Sequence, residues 1–193
     1  MMFRIIRNIL LLFYIFLGAC DPEGQRSETN YFNIDSLLTE QLQVLNSLDP
    51  TLQKIANIDG KLEERSLKLD SAGWAGELNI FFQSDINEPE LAGRYEKKIF
   101  QENGEKIVSY VAREPKNVGI EYLKIIYSSG EIRKIESLFT EKNYLYLTRR
   151  KLSMDFEPGT TGIPILKGYL IDGKQKMILK DTINYHIQTN LIY

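Results

Sequence analysis

Asp59-Gly60, Asn103-Gly104, Ser129-Gly130 and Asp172-Gly173 each stand between runs rich in strand-forming residues. Such pairs constrain the fold more than any other feature of the chain. A two-residue hairpin turn needs positive φ at its centre, which glycine, asparagine and aspartate tolerate. Each pair is read as joining consecutive antiparallel strands, and the polar Glu141-Lys142-Asn143 supplies a further turn. From Gly93 onward this spacing predicts roughly eight strands in a meandering sheet or partial barrel. Glu157 to Pro164 is its longest irregular loop, and Asp59-Gly60 predicts a separate hairpin upstream.

Helical spacing appears twice before the sheet. Ile34, Leu37, Leu38, Leu42, Leu45 and Leu48 fall on one helical face, with Asn33 or Asp35 to cap the start and Asp49-Pro50 to end it. Glu40, Gln41 and Gln43 are assigned to the opposite, polar face. A second helix begins at the cap Leu69-Asp70-Ser71 and aligns Trp74, Leu78, Phe81 and Phe82. Gly73 and Gly76 weaken it by up to ~1 kcal/mol each relative to alanine. The expected fold is α+β: N-terminal helices packed on a curved, meandering antiparallel sheet of roughly eight strands, half-barrel-like. Ile183, Tyr185 and Ile187 alternate with Asn184, His186 and Gln188, so the last strand has one wet face. Ile120 to Tyr127 and Tyr144 to Leu147 are apolar on both sides, which calls for cover on both.

The N-terminus carries Arg4 and Arg7, then an uncharged run from Ile9 to Leu17, then Gly18 and Ala19. That is the layout of a secretory signal peptide. A run of about 11 residues is short of the ~20 that a membrane-crossing helix needs. Leu17-Gly18-Ala19-Cys20 resembles the lipobox of bacterial lipoproteins, which implies that Cys20 is acylated and becomes the first mature residue. The expected organisation is a signal peptide over 1–19, a lipidated Cys20 and flexible tether over 20–30, and a single domain over 31–193. Asp21 to Asn30 lacks any large apolar residue, and a chain of that length reaches on the order of 17 Å.

Several stretches together resemble a group of uncharacterised lipoproteins from the Bacteroidota. They are the lipobox, Tyr31-Phe32, the hairpin, Ser84 to Pro89, Lys142 to Thr148 and Leu166 to Lys176. The resemblance implies a protein anchored in the cell envelope, at the outer membrane, and brings no activity with it. Surface-displayed members tend to carry an acidic cluster after the cysteine. Here only Asp21 and Glu23 stand there, split by Pro22, so the chain is expected to face the periplasm. In fold alone, a curved sheet with helices in its concavity also looks like periplasmic lipoprotein carriers and their outer-membrane receptors.

Chemistry is sparse. Cys20 is the only cysteine and His186 the only histidine, so the usual soft metal ligands are scarce, and no metal or cofactor is assigned. No G-x-S-x-G, H-E-x-x-H, P-loop or G-x-G-x-x-G occurs, and no catalytic residue is assigned. His186 is read as a solvent-facing strand residue, and Glu63-Glu64 as part of a solvated hairpin. A net charge of −2 gives no reason to expect nucleic acid. Arg149-Arg150-Lys151, the densest basic run, is read as guarding an edge strand. Tyr122, Ile126, Tyr144, Tyr146 and Tyr169 are candidate lining for a groove taking an apolar or glycan ligand, beside the alternative that tyrosines in strands simply pack. The functional expectation is a non-enzymatic, lipid-anchored envelope component whose partners are the membrane, through Cys20, and another envelope protein or an apolar ligand. The alternative is a half-barrel carrier or receptor for lipid or lipoprotein.

Overall fold

A computed structural model describes residues 31–159 and 162–193. The expected signal peptide, Cys20 and tether lie outside the described residues. The chain forms helix α1 (Ile34–Leu48), strands β1 (Thr51–Ile58) and β2 (Lys61–Lys68), and helix α2 (Ser71–Phe82). Seven further strands follow: β3 (Tyr95–Glu102), β4 (Glu105–Ala112), β5 (Ile120–Ser128), β6 (Glu131–Lys142), β7 (Tyr146–Glu157), β8 (Ile165–Met177) and β9 (Thr182–Ile192). They build one nine-stranded antiparallel sheet in the order β2-β1-β9-β8-β7-β6-β5-β4-β3, not closed into a barrel.

Local chemistry explains most of these elements. Asn33 Oδ1 accepts the Ser36 N–H at 2.8 Å, and Asp70 Oδ1 accepts the Gly73 N–H at 2.8 Å, so each helix starts on a side-chain cap. Asp49 ends α1 in the left-handed region at φ 44°. Asp59-Gly60, Asn103-Gly104 and Ser129-Gly130 all have positive φ at both residues and close the β1–β2, β3–β4 and β5–β6 turns.

Asp172-Gly173 does not make a turn. It lies inside β8, where Gly173 pairs with Tyr185 of β9 and Asp172 with His186. A Cβ at Gly173 would stand 2.7 Å from the Tyr185 ring and 2.9 Å from the Arg149 carbonyl oxygen, so this glycine admits a side chain from the next strand. The real β8–β9 turn falls at Ile178-Leu179, with Leu179 at φ 62°. Splitting β8 at Asp172-Gly173 inflates the expected count; the sheet has seven strands from Tyr95 onward and reaches nine with the upstream hairpin.

Register decides which residues share a face. Val108, Ile125, Ile135, Met154 and Tyr169 are cross-strand partners in β4 to β8, and all are buried. This row joins Ile34, Leu38 and Leu45 of α1 and Trp74, Leu78 and Phe81 of α2 in one core, so the helices cover this face. Full burial of side chains of this size contributes about 1.5–3 kcal/mol each. Gln41 corrects the expected polar stripe of α1: it is fully buried. Its Nε2 donates to the Pro164 carbonyl at 2.7 Å and its Oε1 accepts the Leu166 N–H at 3.0 Å, which ties α1 to the start of β8.

The upstream hairpin is not a satellite. β1 pairs along its whole length with β9, from Thr51 opposite Ile192 to Ile58 opposite Tyr185. Sequence-distant segments thus close into one sheet. The edge strand β2, K-L-E-E-R-S-L-K, is exposed throughout, and its charges discourage pairing with another chain.

Candidate binding surfaces

The second face of the sheet carries an ion-paired lattice. Arg149, Arg150 and Lys151 lie in β7, between β6 and β8, so the edge-strand reading of this basic run is corrected. Strand alternation sends Arg149 and Lys151 to the second face, and Arg150 to the helix-covered one. Arg149 pairs with Glu121 at 3.2 Å, and Lys151 with Glu136 at 3.1 Å. Lys134 contacts Asp155 at 3.3 Å, and His186 Nδ1 lies 2.7 Å from Asp172. Burial works against the charge of Lys151, but its hydrogen bond to Glu136 together with the negative charge of Glu136 and nearby groups outweighs this and raises its pKa above the ordinary value. The Tyr122 hydroxyl lies in the same lattice; desolvation raises its pKa and Lys151 partly offsets this. A shallow cleft of about 600 Å³ opens here, bordered by Asn57, Leu138, Arg149, Lys151, Asp172 and His186.

The five tyrosine and isoleucine candidates fall in three places. Tyr122 and Ile126 share the second face through their pairing with Leu138 and Lys134. Tyr169 is under α2, 2 % exposed, edge-on to Phe81 with ring centroids 5.2 Å apart. Its hydroxyl donates to Glu77, which also holds Lys54 Nζ at 2.5 Å, so α2 is braced to β1 and β8 by one carboxylate. Burial and that hydrogen bond push the Tyr169 phenol far above its ordinary pKa of 10.0. Tyr144 lies in the β6–β7 turn and Tyr146 opens β7 beside it. Arg150, half-buried at the rim of the helix-covered face, lies 4.2 Å over the Phe139 ring and donates to Gln83 beside α2.

At that turn the molecule presents apolar side chains to solvent. Tyr144 is 81 % and Leu179 100 % exposed, and Leu145 and Ile178 are each more than half exposed. The two turns are tied together, because Ile178 N–H donates to the Leu145 carbonyl at 2.9 Å. Asn143 Oδ1 accepts the N–H groups of Leu145 at 2.8 Å and Tyr146 at 2.9 Å, which fixes the first turn. The Tyr146 hydroxyl donates to Glu141, and that bond raises its pKa. Lys142, Lys176, Lys180 and Asp181 border a cleft of about 970 Å³ at this tip. Contiguous exposed apolar surface of this kind marks an interaction site more often than scattered single residues do. Sequence reasoning treated Tyr144-Leu145 as strand and overlooked Ile178-Leu179; an apolar pair between two turn-flanked strands was the available signal.

What the second face can do chemically is bind. Arg149 and Lys151 pair with its carboxylates Glu121 and Glu136, and the cleft is lined by donors and acceptors suited to polar contacts. Among the described residues no group of three or more His, Cys, Asp or Glu could hold a metal ion, and no helix is long and apolar enough to cross a membrane. No family model, curated protein or solved structure matches the chain.

Proposed function

We propose that this chain is a lipid-anchored protein of the cell envelope, held at the outer membrane through Cys20, that binds another envelope component without catalysing a reaction. The observation that carries the binding part is the helix-free second face. Its charges are pre-ordered by pairing, and a cleft is formed between Asn57, Lys151, Asp172 and His186. Pre-ordered side chains lose less freedom when a partner docks. The anchor reading rests on Leu17-Gly18-Ala19-Cys20 and the basic and apolar residues before it. Resemblance to the Bacteroidota lipoproteins supports the same address.

The alternative, a half-barrel that carries lipid, needs room on the helix-covered face. Trp74, Phe81, Leu78 and Leu38 fill that face as fully buried side chains, which favours the surface-binding reading. A photo-crosslinking residue at His186, in intact cells, is expected to capture a discrete partner that the same residue at Glu63 on β2 does not. Equal background at both positions would sink the binding surface. The anchor has its own check: Cys20→Ala is expected to abolish acyl labelling and leave uncleaved precursor.

A further inference from the structure

The turns at Tyr144-Leu145 and Ile178-Leu179 are built at a cost that a water-facing turn has no reason to bear. Leu179 occupies the left-handed region at φ 62°, where glycine or asparagine fits better, and its side chain gains no burial in the fold. The turns are held in place by the Ile178–Leu145 backbone bond and by Asn143, so the four apolar side chains form one preset surface. Lys142, Lys176 and Lys180 surround them against Asp181, with Glu141 accepting the Tyr146 hydroxyl. Apolar tips ringed by an excess of lysines complement anionic headgroups over an acyl layer, and tyrosine suits that boundary.

The position of Tyr31 agrees. Tyr31, the first described residue, accepts the N–H of Tyr95, where β3 begins, and Tyr95 in turn donates its hydroxyl to the Ile120 carbonyl at the start of β5. β6 ends at this same end of the sheet, since Phe139 pairs with Ile120. Phe139 stands four to five residues before Asn143 and Tyr144, so along the strands the tips project roughly 13–17 Å beyond this point. The expected ten-residue tether, as a flexible chain, would span on the order of 17 Å. On the proposed anchor reading, the bilayer that holds Cys20 is therefore within reach of the tips.

We infer that the paired tips, Tyr144-Leu145 and Ile178-Leu179, seat in the headgroup boundary of an anionic bilayer, with Lys142, Lys176 and Lys180 at the lipid phosphates. This is a second membrane contact, distinct from the acyl anchor, and it sets which end of the sheet faces the lipid.

The test uses the full chain carrying Cys20→Ala and one environment-sensitive fluorophore, attached through Leu179→Cys or, at the opposite end of the sheet, Ser129→Cys. Vesicles of phosphatidylcholine with phosphatidylglycerol should shift the Leu179 label to the blue and leave the Ser129 label unchanged. The shift should weaken when Lys142, Lys176 and Lys180 are all changed to Glu. A Leu179 label that stays water-like, or one that moves no more than the Ser129 label, overturns the inference. So does a dimer by sedimentation velocity that Leu179→Asp converts to monomer, since the tips would then join two copies of the chain. Because Cys20 is absent throughout, failure here leaves the acylation reading untouched, and loss of acyl labelling in cells leaves this result standing.

Discussion

The two ends of the sheet meet the same geometric demand with opposite chemistry. At one end Asn103-Gly104 and Ser129-Gly130 turn the chain with residues that accept positive φ and keep polar surface toward water. At the other, Tyr144-Leu145 and Ile178-Leu179 turn it with large apolar residues, one of them in the left-handed region. The first pair is explained by folding alone. The second is not, because the same reversal is available at lower free energy with Asn or Gly. A turn that departs from its cheapest chemistry, in a sheet that elsewhere follows it, points to a demand from outside the fold.

Several measurements break or sharpen that contrast. The largest effect is expected where glycine serves packing and not turning: Gly173→Val should lower stability by about 2 kcal/mol, because its side chain would collide with the Tyr185 ring. Adding Tyr185→Ala should recover part of the loss in a double-mutant cycle; full additivity in chemical denaturation would break the account of Gly173. The covered middle, shared by both ends, should show an alkaline limit. Above pH 10.0 the unfolded Tyr169 phenol ionises while the native one keeps its proton. The unfolded state then holds fewer protons, so stability is flat below that pH and falls above it, by at most about 1.4 kcal/mol per pH unit. Tyr169→Phe should flatten the slope, and an unchanged slope would reject the assignment.

At the polar end, Gly104→Ala should cost about 1 kcal/mol, since φ is 82° and the space around it is open, so that the penalty is conformational. The apolar end should answer with the opposite sign. Leu179→Asn should raise stability by roughly 0.5–1 kcal/mol, read as a higher denaturant midpoint. A loss of stability at Leu179→Asn would mean that Leu179 is serving the fold after all, and the contrast between the ends would collapse. The smallest effect belongs to the second face, where Arg149→Gln should change stability by no more than about 0.5 kcal/mol because its pair with Glu121 is partly exposed.

Much of the architecture was legible in the chain. Turn pairs with Asn or Asp before Gly, the caps Asn33 and Asp70, and the helical spacing of Ile34 to Leu48 and Trp74 to Phe82 act over a few residues, so local sequence carries them. Asp172-Gly173 shows where this fails. The dipeptide has the composition of a turn, yet glycine is needed there because Tyr185, on the next strand, lies against it. Gln41 is a second case: on a helical wheel it is polar surface, and only the return of the chain at Pro164 to Leu166 makes it a buried tie. The candidate groove residues separate for a related reason. Tyr169 and Tyr122 both sit in strands, and parity within one strand does not say which side the helices will cover.

By itself, then, the sequence determined the local units: the helices with their caps, the glycine turns and the antiparallel class. Each depends on residues close enough to interact whatever the rest of the chain does. Tertiary structure alone decided that β1 joins β9, that one face of the sheet lies under α1 and α2 while the other holds a paired-charge cleft, and that the β6–β7 and β8–β9 turns meet as one apolar tip. These depend on contacts between residues far apart in the chain, whose register and facing are settled by burying a common core and not by any short stretch of sequence.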